Sequence, residues 1–204
     1  MLVLAIDTAT SAVTAGVVDV RSDRLDALAE RVTVDARAHG ELLTPHVMDA
    51  LHEAGARLDH LDAIVCGVGP GPYTGLRAGM VTAAALSHAL DIPAHPVCSL
   101  DAIAAAVDAD GPFLVITDAR RREVYWAAYD RAGTRTDGPN VDRPADLDTS
   151  FTERVEHAHP SPRGLVRAAG EALFSGEPAA PLTPLYLRRP DVAQPGARKR
   201  VTVP

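Results

Sequence analysis

The sequence predicts an α/β protein built from two related lobes, and three observations predict it. Apolar segments run in the order strand, strand, strand, helix, strand, helix, strand, helix through the first hundred or so residues. The pattern then begins again. Val115-Ile-Thr-Asp118 followed by Val124-Tyr-Trp-Ala-Ala-Tyr129 echoes Leu4-Ala-Ile-Asp7 followed by 13–17, with six residues from each aspartate to the next strand's valine. A chain of 204 residues, 47% apolar and 23% charged, is also long enough to bury a core without disulfide staples. The echo divides the chain into a first lobe at 1–107 and a second, reduced lobe at 108–204.

Taken in order, residues 2–6 form a short uninterrupted apolar run, as central strands do, and Asp7-Thr-Ala-Thr-Ser11 reads as a tight turn. A second strand occupies 13–20 and a third Leu25–Val34, joined by a turn at Ser22 and Asp23. Leu43, Val47, Ala50, Leu51 and Ala54 recur at helical spacing over 39–54, which Gly55 closes. Pro45 falls near its first turn, where proline is tolerated. Ala63–Gly67 reads as a buried strand, 74–90 as a helix and Ala94–Val97 as a strand, with Ser99 capping a helix to about 107. Beyond Tyr129 the composition turns to Gly, Pro, Asp and Thr through 150, leaving one strand at 155–158 and one helix at 163–174.

Lys plus Arg number 20 and Asp plus Glu 27, a net charge of −7, which argues against an independent nucleic-acid binder. Lys199 is the single lysine, so lysine chemistry is excluded for the folded body. Cys66 and Cys98 match no metal spacing, and a reducing compartment is expected. The N-terminus lacks a basic leader, and the longest apolar stretch, 78–90, is too short to span a bilayer, so a cytoplasmic protein is expected.

A strand ending in aspartate and running into a Thr/Ser-rich hairpin is how actin-like, sugar-kinase and Hsp70 proteins hold nucleotide. Asp7, Thr8, Thr10 and Ser11 fit that pattern, with Asp118 as the second-lobe counterpart. The plain alternative is a pair of turns whose side chains bond their own backbone. The loop at 67–75, Gly-Val-Gly-Pro-Gly-Pro-Tyr-Thr-Gly, is neither a P-loop nor G-x-G-x-x-G, and its prolines remove amide donors. It reads as a rigid lead into the helix, with Gly75 and Gly79 permitting close helix–helix contact. That helix is apolar on every side, so a stripe of it awaits a partner surface, with another chain favoured over the second lobe. His39, His46 and Glu53 share one face of the preceding helix as a solvated or interface stripe, and His52-Glu53 lacks the second histidine of a zincin. Arg188, Arg189, Arg198, Lys199 and Arg200 make a basic tail read as solvated.

With these segments placed, the sequence resembles the TsaB (YeaZ) family. The residues that carry the resemblance are LAIDTAT at 4–10, HGELLTP at 39–45, GVGPGPYTGLRAG at 67–79, TDARRREVYWAAY at 117–129 and PLYLRRPDV at 184–192. Arg122 stands where the family usually has glycine. The resemblance implies an actin/Hsp70-like (ASKHA) fold of two ribonuclease-H-like lobes, the second truncated. It also implies a role in forming threonylcarbamoyladenosine beside the tRNA anticodon. The larger paralogue TsaD performs that transfer, holding a metal with an H-x-x-x-H pair. At the matching stretch here Ser99 and Ile103 replace the ligands, and neither can serve a transition metal.

The expectation is therefore a non-catalytic scaffold that pairs with TsaD, or with itself when alone, through the helices at 41–54 and 74–90. Leu42, Leu76, Met80 and Ala83 are the expected interface residues. The ATPase TsaE is a further implied partner, tRNA is met only through the complex, and no membrane is involved. No cofactor is expected in the isolated chain. The alternative is a nucleotide-dependent ATPase or phosphotransferase using Asp7 and Asp118 with ATP.

Overall fold

The computed structural model describes residues 1–148 and 150–188. The basic tail beyond Arg188 and the end of the 184–192 stretch lie outside the described residues. The first sheet comprises β1 (Leu2–Asp7), β2 (Ala12–Val20), β3 (Leu25–Val34), β4 (Ala63–Gly67) and β5 (Ala94–Val97), in the order β3-β2-β1-β4-β5. The first three strands form an antiparallel meander, and β4 and β5 add in parallel beside β1. α1 (His39–Glu53) leads into β4, and α2 (Tyr73–Leu90) makes the β4–β5 crossover.

The second sheet repeats this plan. Strands β6 (Phe113–Asp118), β7 (Val124–Tyr129), β8 (Arg135–Asp142) and β9 (Glu153–Glu156) lie in the order β8-β7-β6-β9, again a meander with one parallel strand beside its first member. The echo seen in sequence is thus an echo in topology. The turns differ by one residue, since Asp7 pairs with Thr14 whereas Asp118 pairs with Val124.

Both faces of the first sheet are covered, which is why β1 and β4 read as unbroken apolar runs. Leu4, Ile6, Val13, Ile64 and Cys66 face α1 and α2. Val3, Ala5, Val18 and Val65 face the opposite side, against α3 (Ser99–Ala104) and α4 (Pro162–Ala169). α4 follows the second sheet in sequence yet packs on the first. Ser161 caps it by accepting the Gly164 amide at 3.0 Å, and Pro162 occupies its first turn. α3 wedges between the sheets: Ala102 joins the first core, while Leu100, Ile103 and Ala104 join Phe113, Val115, Ala127 and Tyr129 of the second. The described chain ends as a strap. Leu185 N–H donates to the Val68 carbonyl at 2.8 Å, Leu182 and Leu185 pack on the first core, and Leu187 packs on the second.

Five details differ from the sequence expectations. β8 lies in the stretch expected to be irregular, because the β7 ladder supplies the pairing its own composition does not signal. α3 stops at Ala104, α4 stops at Ala169 and continues as a 3-10 turn over Gly170–Leu173, and β9 covers Glu153–Glu156. Cys98, not Ser99, holds the cap position of α3. Among the described residues no helix is long and apolar enough to cross a membrane.

Candidate functional site

β1 delivers Asp7 to the point where the first sheet meets the loop after β4. Its carboxylate is fully buried there, and a Cβ at Gly67 would lie 1.7 Å from its Oδ2. Oδ1 accepts the Ala9 amide at 2.9 Å, and Oδ2 accepts the hydroxyl of Ser99. Ser99, expected as a cap, is instead a donor to this carboxylate from the first turn of α3. Burial pushes the Asp7 carboxyl up to about 6, against the pull of Ser99, the Ala9 and Thr10 amides and the nearby His39.

A carboxyl raised from 3.8 to about 6 favours the folded state below the lower value and loses that contribution as pH rises through the upper one, a span worth about 3 kcal/mol. Asp7→Asn keeps an acceptor for the Ala9 amide and offers Ser99 an amide in place of a charge. Its stability relative to the parent should therefore rise between pH 4 and pH 7 in urea denaturation. A difference that stays flat across that range would show that Asp7 carries no buried charge.

Thr8 is equally enclosed. Its Oγ1 donates to the Gly75 carbonyl at 2.7 Å and accepts the Gly79 amide at 2.9 Å, so it sits within the hydrogen-bond ladder of α2. A Cβ at Gly79 would stand 2.5 Å from that hydroxyl. Gly75 and Gly79 thus admit the β1–β2 turn to the helix; Gly75 also keeps the helix–helix role expected of it, since a Cβ there would stand 3.3 Å from the His39 ring of α1, whereas Gly79 meets only Thr8. Asp7 and Thr8, read as phosphate ligands, are core groups. Thr10 and Asp118 are brought together along a cleft of about 920 Å³ between the lobes, and Ser11 lines it too. Thr10 Oγ1 accepts the Ala12 amide at 3.1 Å, and Asp118 Oδ1 accepts that of Arg120 at 2.8 Å, the local turn bonding that was the plain alternative.

The expected interface residues divide. Leu42 is half-buried against the first core, but Leu76, Met80 and Ala83 lie within that core and present nothing to a partner. The face of α2 left open carries Val81, two-thirds exposed, with Ala84, Ala85 and His88 at helical spacing around it. The histidine stripe of α1 is solvated only at Glu53, which is half exposed, while its two histidines bond within the fold. His39 Nε2 bonds the Thr10 carbonyl at 2.9 Å, His46 Nε2 meets Thr33 Oγ1 at 2.9 Å, and Glu53 pairs with Arg31. Three residues spaced seven apart tie α1 to the first turn and to β3.

The stretch after β5 does not fit a metal. The Ser99 hydroxyl is committed to Asp7, and Ile103 is a core residue of the second lobe. Arg122 adopts φ 65°, in the left-handed region that favours glycine.

A family model described as TsaD, tRNA N6-adenosine threonylcarbamoyltransferase, matches residues 27–194. The solved structure of YeaZ from Pseudomonas aeruginosa superposes with a TM-score of 0.75 at 26% identity, covering 91% of this chain and 99% of that one. The chain belongs to the TsaB/YeaZ family. The actin-like two-sheet fold is that of YeaZ, and the match runs through both lobes. An uncharacterized protein of Mycobacterium bovis is 55% identical over 93% of this chain and 92% of its own length. The tRNA threonylcarbamoyladenosine biosynthesis protein TsaB of Bacillus subtilis is 38% identical over 130 residues, 63% of this chain and 55% of that protein.

On the second-lobe side of the cleft, sequence reasoning picked out Asp118 but passed over its neighbours Thr117 and Arg120. The run Arg120-Arg121-Arg122 was the signal available for it.

Proposed function

We propose that this chain is a non-catalytic cytoplasmic subunit for threonylcarbamoyl transfer to the adenosine beside the tRNA anticodon. It pairs with a TsaD-type enzyme through the open faces of α1 and α2, and with a second copy of itself when that enzyme is absent. TsaE joins the same assembly, and tRNA is met through the complex. The observation that carries this reading is the exposed apolar stripe around Val81 of α2, together with Met48 of α1, itself half exposed. Large aliphatic side chains exposed on a helix are costly in water and mark a surface that another protein covers. The family model supports the reaction, and the loss of both ligand positions at Ser99 and Ile103 supports a supporting role in it.

Reconstitution with a TsaD-type enzyme, TsaE, threonylcarbamoyl-adenylate and unmodified tRNA tests it. Omitting this chain should lower modification by at least tenfold, and this chain alone should give none. Product from the isolated chain, or unchanged turnover without it, would overturn the proposal.

A further inference from the structure

The exposed face of α2 does not end at Val81. Tyr73, Arg77, Val81, Ala84 and His88 follow one another three or four residues apart along one side of the helix, and all are exposed. At the N-terminal end of this stripe the strap joins it. The Tyr186 ring stacks on that of Tyr73, with centroids 5.1 Å apart, and the Arg77 guanidinium lies 3.8 Å over the Tyr73 ring. Arg77 Nε also donates to the Tyr186 hydroxyl at 2.9 Å. Tyr73 is 44% exposed and Tyr186 38%, so two rings and a cation stand at the surface in line with the apolar stripe. Tyrosine and arginine are the residues that the centres of protein interfaces concentrate. α2 contains no Asp, Glu or Lys, and Arg77 is its only arginine. The partners that hold Arg77 are a ring face and a phenol, and neither neutralises its charge.

We propose that the docking face runs on from Val81 to this cluster, that Arg77 there pairs with a carboxylate of the TsaD-type enzyme, and that Tyr186 of the strap positions the guanidinium to do so. The bond to Tyr186 runs from Nε, which leaves the two terminal nitrogens as the fork that takes a carboxylate through parallel hydrogen bonds. A guanidinium laid flat on a ring has less freedom to lose on binding than one free in water. Two copies of this chain meeting α2 against α2 would bring Arg77 no counter-charge, because that helix has no carboxylate to offer. Arg77 thereby favours the enzyme over a second copy. The inference rests on the docking reading above and adds to it a contact, a selectivity and a role for the strap.

Titration calorimetry of the full chain against a TsaD-type enzyme, with sedimentation of the chain alone to read self-association, tests it. Arg77→Gln should weaken pairing with the enzyme by about tenfold or more and leave self-association within about twofold of the parent. Tyr186→Phe keeps the stacked ring but removes the acceptor that Arg77 uses, and should weaken pairing about threefold. In an Arg77→Gln background Tyr186→Phe should have no further effect, since it acts through the guanidinium. Added salt should weaken the parent pair more steeply than the Arg77→Gln pair. Pairing of Arg77→Gln at the parent's affinity would overturn the inference, as would equal losses in both assemblies or an additive effect of Tyr186→Phe. Val81→Glu separates this inference from the reading beneath it. If Val81→Glu abolishes pairing while Arg77→Gln pairs as the parent does, the inference falls and the docking face stands; if both pair as the parent does, both fall.

Discussion

Met80→Glu is expected to unfold the chain, while Val81→Glu, one residue along the same helix, is expected to leave it folded and abolish association. Met80 is 8% exposed and packs in the core that contains Leu4, Ile6 and Leu76. A carboxylate forced there without a partner costs several kcal/mol, a large share of the 5–15 kcal/mol that about this size of domain commands. Val81 is 67% exposed, where substitutions shift stability by only about 0.5 kcal/mol. In a dry interface the same charge would be desolvated and unpaired. Affinity for a TsaD-type enzyme should then fall at least 100-fold, about 2.7 kcal/mol or more. Thermal melts and co-elution read both results. A folded Met80→Glu would mean that α2 is rotated from the orientation described, and full binding by Val81→Glu would move the docking surface to another face.

Gly67→Ala should be nearly as damaging, and its cause is a single contact. The added Cβ would stand 1.7 Å from Asp7 Oδ2 and 2.9 Å from Ser99 Oγ. Asp7 cannot retreat without leaving a buried carboxylate stripped of its donors, so the backbone of the loop must move. A loss of about 3 kcal/mol or more is expected, which for a chain of this length lowers the melting temperature by roughly 10 °C. Gly40→Ala is the contrast, because nothing lies within 4 Å of its Cβ and the position is helical. It should stabilise by about 0.5 kcal/mol. In an Asp7→Ala background the cost of Gly67→Ala should shrink, since the clashing oxygen is gone. An undiminished cost there would place the clash elsewhere.

The first sheet was legible because its strands are buried on both faces and its helices carry clean 3.6-residue periodicity. Even Leu25–Val34, whose apolar spacing alternates poorly, is a strand with the expected bounds. β8 was not legible, since its Gly138, Pro139 and Asn140 are turn-forming residues and the strand is exposed or half-buried throughout. The open face of α2 was misjudged for a different reason. A helix apolar all round has no polar side to mark the solvent, and only the placement of Thr8 and Leu4 decides that Met80 turns inward. Asp7 and Asp118 looked equivalent because they end equivalent strands. What separates them is Gly67 and Ser99, brought over Asp7 from 60 and 92 residues away. The cleft draws on both lobes, and no local pattern announces a cavity that exists only when they meet.

The late segments of this polypeptide finish the early ones. α4 closes the second face of a sheet begun at Leu2, and Leu185 bonds a carbonyl that left the ribosome well over a hundred residues earlier. During synthesis the first lobe therefore waits, one apolar side uncovered, until residues 162–185 emerge. A chain stopped before β6 would make that wait permanent, and such a fragment should aggregate rather than stand alone.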